Sequence, residues 1–338
     1  MKMNAAGQGL GLMVLALCLS LLTTSSSQAQ KAAKVSRVGW LEVCSPGPRR
    51  PNLDIFRGRL AELGYVEGKN LIIEQRFADC SYDRMPGLAT ELAQIPVDVL
   101  FTMGTRASRI VAETVKSTPL VVYSCDPFEH VTSLARGRGN LTGVTCMTTE
   151  LSPKRLELLH EAVPKASRVM FLHDPQAAPN AWKLTEEVAP RLGITLQQAQ
   201  VGAAEELRPE LAMIEKERPD ALFVYPDVVL SSYPRPQQLA EFAFKARLPM
   251  MNAFRFFTDA GGLMSYGATA SEIYTSAAEQ VAKVLKGTPP RELPLQEATR
   301  FELIINNWTA KALGLAIPSS LLVRADEVVE SPPPFATH

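Results

Sequence analysis

Short apolar runs alternate with amphipathic stretches along the chain from about residue 35 onwards. The runs are rich in Val, Ile and Leu, which is typical of buried parallel strands. The stretches between them place apolar residues at helical spacing. In 52–64, Ile55, Leu60 and Leu63 lie towards one side, and Gly64 is a suitable C-terminal stop. The pattern therefore predicts an α/β fold in which helices connect parallel strands.

The predicted elements follow one another regularly. Strands are predicted near 36–43, 70–77, 97–102, 119–124, 141–145, 167–172, 194–200, 220–225, 248–252, 262–265 and 300–306. Helices are predicted near 52–64, 83–94, 105–116, 152–162, 178–192, 204–217, 235–246 and 271–287. After the last strand, a closing helix over "WTAKALGL" and a Pro-rich tail are predicted. In the helix over 152–162, Ser152 is the expected N-cap and Pro153 the first helical residue.

The strand and helix pattern occurs twice in the same order. Matching pairs of segments are 35–44 and 166–175, 97–105 and 219–227, 117–127 and 246–257, and 139–146 and 261–268. Gly193 ends the first helix of the second copy as Gly64 ends that of the first. The duplication predicts two Rossmann-like lobes with parallel sheets that face each other across a cleft.

Strand-to-loop passages near 146, 266 and 298 are where the backbone is expected to cross between lobes. The expected first lobe comprises 35–146 plus 267–298, the second lobe comprises 147–266 plus 299–330, and 331–338 is a flexible tail.

The first residues predict export. Lys2 precedes an apolar run over 10–22, and small residues then lead to a cleavage site after Ala29, so 1–29 is interpreted as a secretory signal. The run is too short for a membrane anchor, which needs about 20 apolar residues. Leu17 precedes Cys18, where a lipobox prefers Gly or Ala, and this favours a cleaved, unlipidated protein.

Composition narrows the class of partner. The chain has 35 basic and 35 acidic residues, and removal of Lys2 with the signal changes this balance by one. A near-neutral chain without a basic stripe gives no indication of nucleic acid or anionic lipid as a partner. Small molecules or proteins are the expected partners, and we expect a monomer.

The mature chain keeps four of the five cysteines, all in its first half, at 44, 80, 125 and 146. They show no CxxC spacing for zinc or redox chemistry. In an oxidising compartment Cys44 with Cys80, and Cys125 with Cys146, lie suitably for disulfides. Four half-buried thiols are the alternative.

Candidate binding residues follow the predicted strands, because ligands of open parallel sheets bind outside the carboxyl ends of the strands. The loops so nominated are Cys44-Ser45-Pro46, Gly104-Thr105, Cys125-Asp126-Pro127, Asp174-Pro175 with Asn180, and Tyr225-Pro226-Asp227. Trp40, Tyr123 and Phe254 are further aromatic candidates for the cleft wall or, alternatively, for the core.

Each charged or turn-forming candidate has two interpretations. Gly104 and Thr105 open a helix that either binds an anion or makes a tight turn with Thr105 as N-cap. Asp126 and Asp227 either bind an ammonium or hydroxyl group or cap the next turn. Arg255 either clamps a carboxylate, which together with Asp126 would suit an amino acid-like zwitterion, or forms a surface salt bridge.

Motifs for catalysis are few. The histidines at 130, 160, 173 and 338 are scattered, and the mature chain contains no GxSxG elbow, P-loop or GxGxxG motif. We therefore expect no enzymatic activity, no metal and no cofactor. An exported hydrolase that uses Cys125 or Asp126 is an alternative, although no base is identifiable for it.

Several distinctive stretches occur in an order that resembles one family. They are "FRGRLAELGYVEGKNLIIEQRFADC", "ELSPKRLELLHEAVPKASRV", "DAGGLMSYGA", "VAKVLKGTPPRELPLQ" and "FELIINNWTAKALGLAIPSSLLVRADEVVE". The chain resembles the exported substrate-binding proteins of ABC importers, in the branch that includes tryptophan-binding and related aromatic amino acid-binding lipoproteins.

The resemblance implies a periplasmic-binding-protein type I-like fold with three interlobe crossings. It also implies that the protein closes over a small solute and delivers it to a membrane permease driven by an ATPase. By position, the resemblance implies that the cleft is lined at Cys44-Ser45, Gly104-Thr105, Asp126-Pro127, Asp174-Pro175, Asp227 and Gly267. A binding protein that presents its ligand to a membrane receptor is the other function considered.

Overall fold

The computed structural model describes residues 35–45, 51–125, 139–177, 179–202 and 207–336. The predicted signal over 1–29 lies outside the described residues, and so do the candidate site residues Asp126 and Pro127. Among the residues that the structure describes, no helix is both long enough and apolar enough to cross a membrane.

The apolar runs of the first half form one parallel sheet. Its strands are β1 (Ser36–Glu42), β2 (Leu71–Phe77), β3 (Val99–Met103), β4 (Leu120–Ser124), β5 (Leu141–Thr145) and β11 (Gln296–Glu297). The strand order is β11-β5-β4-β3-β1-β2, and every neighbouring pair is parallel. We call this sheet and the helices that cover it the first lobe.

The apolar runs of the second half form the other sheet. Its strands are β6 (Arg168–His173), β7 (Thr195–Gln200), β8 (Ala221–Val224), β9 (Met250–Asn252), β10 (Met264–Ala268), β12 (Phe301–Asn306) and β13 (Glu327–Val329). The order is β13-β12-β10-β9-β8-β6-β7. This sheet and its helices form the second lobe.

The two sheets repeat one arrangement, which confirms the predicted two-lobed α/β fold. The order β2-β1-β3-β4-β5 in the first lobe corresponds to β7-β6-β8-β9-β10 in the second. The second sheet departs from a purely parallel arrangement at one pair, because β10 and β12 are antiparallel, with Met264 opposite Ile305. This direction results from β12 entering the second lobe from the first.

Helices cover both faces of each sheet. They are α1 (Pro51–Glu62), α2 (Met85–Gln94), α3 (Thr105–Thr114), α4 (Ser152–Ala162), α5 (Pro179–Val188), α6 (Arg208–Glu217), α7 (Arg235–Lys245), α8 (Arg255–Asp259), α9 (Ala270–Leu285), α10 (Asn307–Ala312) and α11 (Ser319–Arg324). Short 3₁₀ turns occur at Tyr82–Arg84, Ala189–Leu192, Pro290–Glu292 and Pro334–Ala336.

Each sheet is buried on both faces, as expected of parallel strands covered by helices. In β1, Val38 and Trp40 belong to one apolar cluster, and Leu41, together with Val43 just beyond the strand, belongs to a cluster on the opposite face. The ring centroid of Trp40 lies 4.6 Å from that of Phe101 on β3. Strands buried on both sides explain why the apolar runs are continuous rather than alternating.

The chain passes between the sheets at 146–151, at 269 and at 298–300. The side chain of Arg155 on α4 is fully buried beside the first two passages. Its Nη1 donates to the carbonyl oxygen of Thr148 at 2.7 Å, and its Nε donates to that of Tyr266 at 2.6 Å. Burial lowers the pKa of Arg155 to about 10. One guanidinium therefore joins the first passage to β10, the strand that leads into the second passage.

The expected N-cap of α4 is wrong by one residue. Leu151 occupies the N-cap position, and Ser152 is the first helical residue. The Ser152 hydroxyl instead donates to the carbonyl oxygen of Thr148, at 3.0 Å. A serine in the first turn can hydrogen-bond back to a carbonyl four residues earlier, and this competes with capping.

Candidate functional site

A cleft of about 770 Å³ lies between the carboxyl ends of strands from both sheets. The first lobe contributes the loops after β1, β3 and β4, together with part of α9. The second lobe contributes the loop after β8, the start of α7 and residues around α8. Contacts join residues Ser36–His338 into one compact unit. The cleft thus lies where the duplicated pattern predicts that the two lobes face each other.

Half of the predicted site residues line this cleft. They are Cys44, Ser45, Gly104, Thr105, Tyr225 and Asp227. Among the described residues, the cleft wall does not include Asp174, Asn180, Arg255 or Gly267. The aromatic candidates Trp40, Tyr123 and Phe254 do line it.

Gly104 connects β3 to α3 and is the N-cap of that helix, with φ of 95°. The alternative that placed Thr105 at the N-cap is therefore wrong by one residue. Thr105 is buried, and its hydroxyl lies 3.3 Å from the hydroxyl of Ser124 at the end of β4. The first turn of α3 thus borders the cleft, and the N-terminus of a helix favours a negative group.

Asp227 is a buried carboxyl group directly after β8. Its Oδ1 accepts hydrogen bonds from the backbone N–H groups of Val229 at 2.6 Å and Leu230 at 2.9 Å. Its Oδ2 is buried and has no hydrogen-bond partner among the described residues. Burial is the main cause that raises the pKa of Asp227 to about 7, and the nearby Asp174 adds to it. Asp227 lines the cleft, and its carboxyl group therefore has an unused acceptor position beside the cleft wall.

Asp174 lies beneath the surface at the end of β6 rather than in the cleft wall. Its Oδ1 accepts from the backbone N–H of Gln176 at 2.8 Å, and its Oδ2 lies 3.8 Å from Nη1 of Arg106 in the first lobe. The Arg106 guanidinium also lies 4.1 Å from the ring centroid of Tyr82. Asp174 and Arg106 therefore meet across the two lobes.

Arg255, Asn180 and Gly267 have positions outside the cleft wall. Arg255 forms an exposed pair with Glu327, at 2.5 Å and 2.9 Å, and a contact with Asp259 at 3.2 Å. This is the surface salt bridge that was the alternative to a carboxylate clamp. Asn180 is exposed on α5. Gly267 is buried in β10, where a Cβ atom would lie 2.4 Å from the carbonyl oxygen of Ala253.

Nine aromatic residues line the cleft, and several of them were not predicted. Tyr82, Tyr233, Phe256 and Tyr274 join the expected aromatic residues in the wall. Tyr225 is buried, and its hydroxyl lies 2.8 Å from that of Thr149, which in turn donates to the carbonyl oxygen of Cys125 at 2.9 Å. The hydroxyl of Tyr225 is thus engaged at the first passage, so its ring is what it offers to the cleft.

Two of the charged residues in the wall were also missed. Glu42, at the end of β1, accepts a hydrogen bond from Nε1 of Trp40 at 2.7 Å. Arg106 comes one residue after the predicted loop at Gly104-Thr105. The rule that ligands bind beyond the carboxyl ends of parallel strands, which we call the strand-end rule, indicates the chain segments around Glu42 and Arg106. It does not indicate which side chain of a turn points inward.

Two disulfides join loops after neighbouring strands of the first lobe. Cys44 pairs with Cys80, with Cα atoms 4.2 Å apart, and Cys125 pairs with Cys146, with Cα atoms 5.1 Å apart. The disulfide alternative is therefore confirmed over the free thiols. A disulfide sulfur is not a thiolate nucleophile, so the hydrolase alternative loses Cys125.

The described histidines lie apart from the cleft wall. His173 is buried on β6 with its ring centroid 6.3 Å from that of Trp182, and burial lowers its pKa. No group of three His, Cys, Asp or Glu side chains suited to a metal ion occurs in the described part of the chain.

Residues 52–329 match the sequence profile of a family described as "ABC transporter substrate binding protein". A curated relative is the tyrosine-binding protein of Clostridioides difficile strain R20291. It is 21% identical over 285 residues, which cover 82% of this chain and 81% of the relative.

Two solved structures share the fold over most of their length. One is a conserved domain protein from Vibrio cholerae O1 biovar El Tor, with a TM-score of 0.78 and 24% identity, covering 87% of this chain and 100% of that chain. The other is an ABC domain in complex with L-Trp from Streptococcus pneumoniae, with a TM-score of 0.75 and 20% identity, covering 87% and 99%. These likenesses show the fold.

Proposed function

Because the chain belongs to the family of ABC transporter substrate-binding proteins, we propose that it is the periplasmic solute-binding component of an ABC import system. It has the two-lobed type I periplasmic-binding fold. In this proposal the cleft captures a small solute, and the closed protein delivers it to a membrane permease driven by an ATPase. The proposal includes export of the chain with cleavage of residues 1–29.

The observation that carries the proposal is the placement of the cleft. Loops from equivalent strands of both lobes line it, and three chain passages connect the lobes. A ligand that contacts both walls stabilises the form in which the walls are close, because it loses contacts in any other form. Solute recognition and closure are thereby coupled.

The walls favour a solute with a flat apolar body and a hydrogen-bond donor. The described wall carries several aromatic rings, and one carboxyl oxygen of Asp227 has no hydrogen-bond partner among the described residues. The relatives include a tyrosine-binding protein and a structure with L-Trp. We propose an amino acid-like solute whose ammonium or hydroxyl group donates to Asp227, with Cys44, Ser45, Gly104 and Thr105 forming the opposite wall.

A thermal-shift screen of the mature protein tests this proposal. The panel includes L-Trp, L-Tyr, other amino acids, hydroxybenzoates, nucleosides and sugars. One solute class is expected to raise the melting temperature, since a ligand at 100-fold its Kd stabilises the folded protein by about 2.7 kcal/mol. Calorimetry then gives the affinity for the wild type and for Asp227→Asn.

The outcomes separate the parts of the proposal. Binding of an amino acid that is weakened in the Asp227→Asn variant supports both the function and the assigned contact. Binding that the variant leaves unchanged removes Asp227 from the site. If mass spectrometry shows that the protein converts the bound solute chemically, the proposed binding function is overturned.

A further inference from the structure

The loop after β8 reaches from the second lobe into the first. Val229 is buried, and it belongs to the same apolar cluster as Leu41, Ala107 and Val111 of the first lobe. Val228 is partly buried and packs against that cluster. An apolar side chain of the second lobe therefore forms part of the core of the first lobe. The two lobes are thus in direct apolar contact beside the cleft, and solvent does not separate them there.

Gly104 of the first lobe lies directly against Val228 of the second lobe. A Cβ atom built on Gly104 would lie 2.3 Å from Cγ2 of Val228, well inside the van der Waals distance. Val228 has little freedom to withdraw, because a β-branched side chain is restricted in χ1. Gly104 also has φ of 95°, where residues with a side chain are strained. The absence of a side chain at 104 is thus a condition for the observed contact.

The contact lies away from the connecting passages. In the strand order, β3 is separated from β5, which leads into the first passage, by β4. Neighbouring strands are about 4.8 Å apart, so the end of β3 at Gly104 lies roughly 10 Å from the end of β5, where the first passage begins. A rotation of one lobe about the passages would therefore separate Gly104 from Val228.

Polar contacts flank the apolar one on the same helix. Nη1 of Arg106 lies 3.8 Å from Oδ2 of Asp174, and Nη2 of Arg109 donates to the carbonyl oxygen of Gln176 at 3.5 Å. Burial is the main cause that raises the pKa of Tyr82 in the first lobe, and the nearby Asp227 and Asp174 of the second lobe add to it. The first two turns of α3 and the loops after β6 and β8 thus form one continuous seam.

We propose that Gly104 allows the two lobes to close in the absence of solute. Because residue 104 has no side chain, Val228 can pack against it, and the seam then holds the lobes together before any solute binds. The solute then meets a cleft whose walls are already close. A protein that populates its binding-competent form binds with an apparent affinity that rises with that population. This role for Gly104 concerns the ligand-free protein, so it stands or falls separately from the proposed solute.

Single-molecule FRET on the ligand-free mature protein tests the seam. Dyes are attached through noncanonical residues at the exposed positions Lys116 in the first lobe and Lys216 in the second, which leaves the disulfides intact. The variants are Gly104→Ala, Val228→Ala and the pair combined. Gly58→Ala is the matched control, because a Cβ atom on Gly58 meets nothing within 4 Å.

The wild type and Gly58→Ala are expected to show a short-distance population without ligand. Gly104→Ala should lose it. Val228→Ala should shift the ratio of short to long distances towards long by about tenfold, since it removes two apolar carbons from the seam. The combined variant should recover part of the short-distance population, because the Cβ atom of residue 228 lies 3.6 Å from a Cβ atom on residue 104.

Two results would overturn the proposal. One is a wild-type protein with only long distances in the absence of ligand. The other is a Gly104→Ala variant whose distances match those of the wild type. Should strain at 104 unfold the Gly104→Ala variant, as circular dichroism would reveal, the Val228→Ala shift decides by itself: no shift contradicts the seam.

Discussion

At the scale of single residues, Asp227 couples stability to pH. Burial raises its pKa in the folded protein to about 7, well above the ordinary value of 3.8. Between these two values the folded protein binds more protons than the unfolded chain, so the contribution of Asp227 to stability falls as the pH rises. At neutral pH and above, the ionised carboxylate is a net cost to the ligand-free fold.

Asp227→Asn should therefore be more stable than the ligand-free wild type at pH 8. Its Tm should be a few degrees higher, and this advantage should shrink as the pH falls towards 4.

Asp220→Asn is the matched control. Asp220 accepts from the backbone N–H groups of Ser167 and Arg168, which lower its pKa, so its removal should destabilise the protein most at neutral pH. Calorimetric scans from pH 4 to 8 measure both, and equal slopes for Asp227→Asn and the wild type would contradict the assignment.

The strand-end rule found Gly104, Thr105 and Asp227 from sequence because the position of a residue after a parallel strand depends only on local pattern. It could not find Tyr274, which reaches the cleft from α9 after the chain has returned to the first lobe. It also nominated Arg255, whose side chain turns away to Glu327 of β13, a strand far along the chain. Side-chain direction depends on such distant partners.

At the scale of elements, most strands and helices fall within two or three residues of their predicted bounds. The exceptions are short. β11 has two residues, and it is a strand because Gln296 and Glu297 meet Val144 and Thr145 of β5. β13 and α11 follow α10 in the part of the chain for which the apolar pattern predicts only a closing helix and a Pro-rich tail. Elements of two to six residues are too short to show a clear periodicity.

The two disulfides act at this scale, since each fixes the end of one strand to that of its neighbour. They close sequence separations of 36 and 21 residues. Closing loops of this length restricts the unfolded chain enough to stabilise the fold by about 3 to 4 kcal/mol for each disulfide. Urea unfolding of Cys44→Ala/Cys80→Ala and of Cys125→Ala/Cys146→Ala should show losses of this size. The unmodified protein in a reducing agent is the control and should lose at least as much; unchanged midpoints would contradict the expectation.

At the scale of the whole molecule, Arg155 holds the connection between lobes. Arg155→Met would leave the carbonyl oxygen of Tyr266 without its buried donor and remove one of two donors from that of Thr148. A cost of about 3 kcal/mol in unfolding free energy is expected. Arg255→Met, which removes an exposed pair, should cost less than about 1 kcal/mol. Urea unfolding measures both, and similar losses for the two variants would count against the role of Arg155.

The duplicated architecture has a consequence for how such chains evolve. Gly104 follows β3, and Val228 follows β8, the equivalent strand of the second copy. The side chains of residues 104 and 228 share one small space. The sum of their volumes is therefore constrained more strongly than the volume of either side chain alone. In a collection of related chains, residue sizes at these two positions should therefore vary in opposite directions.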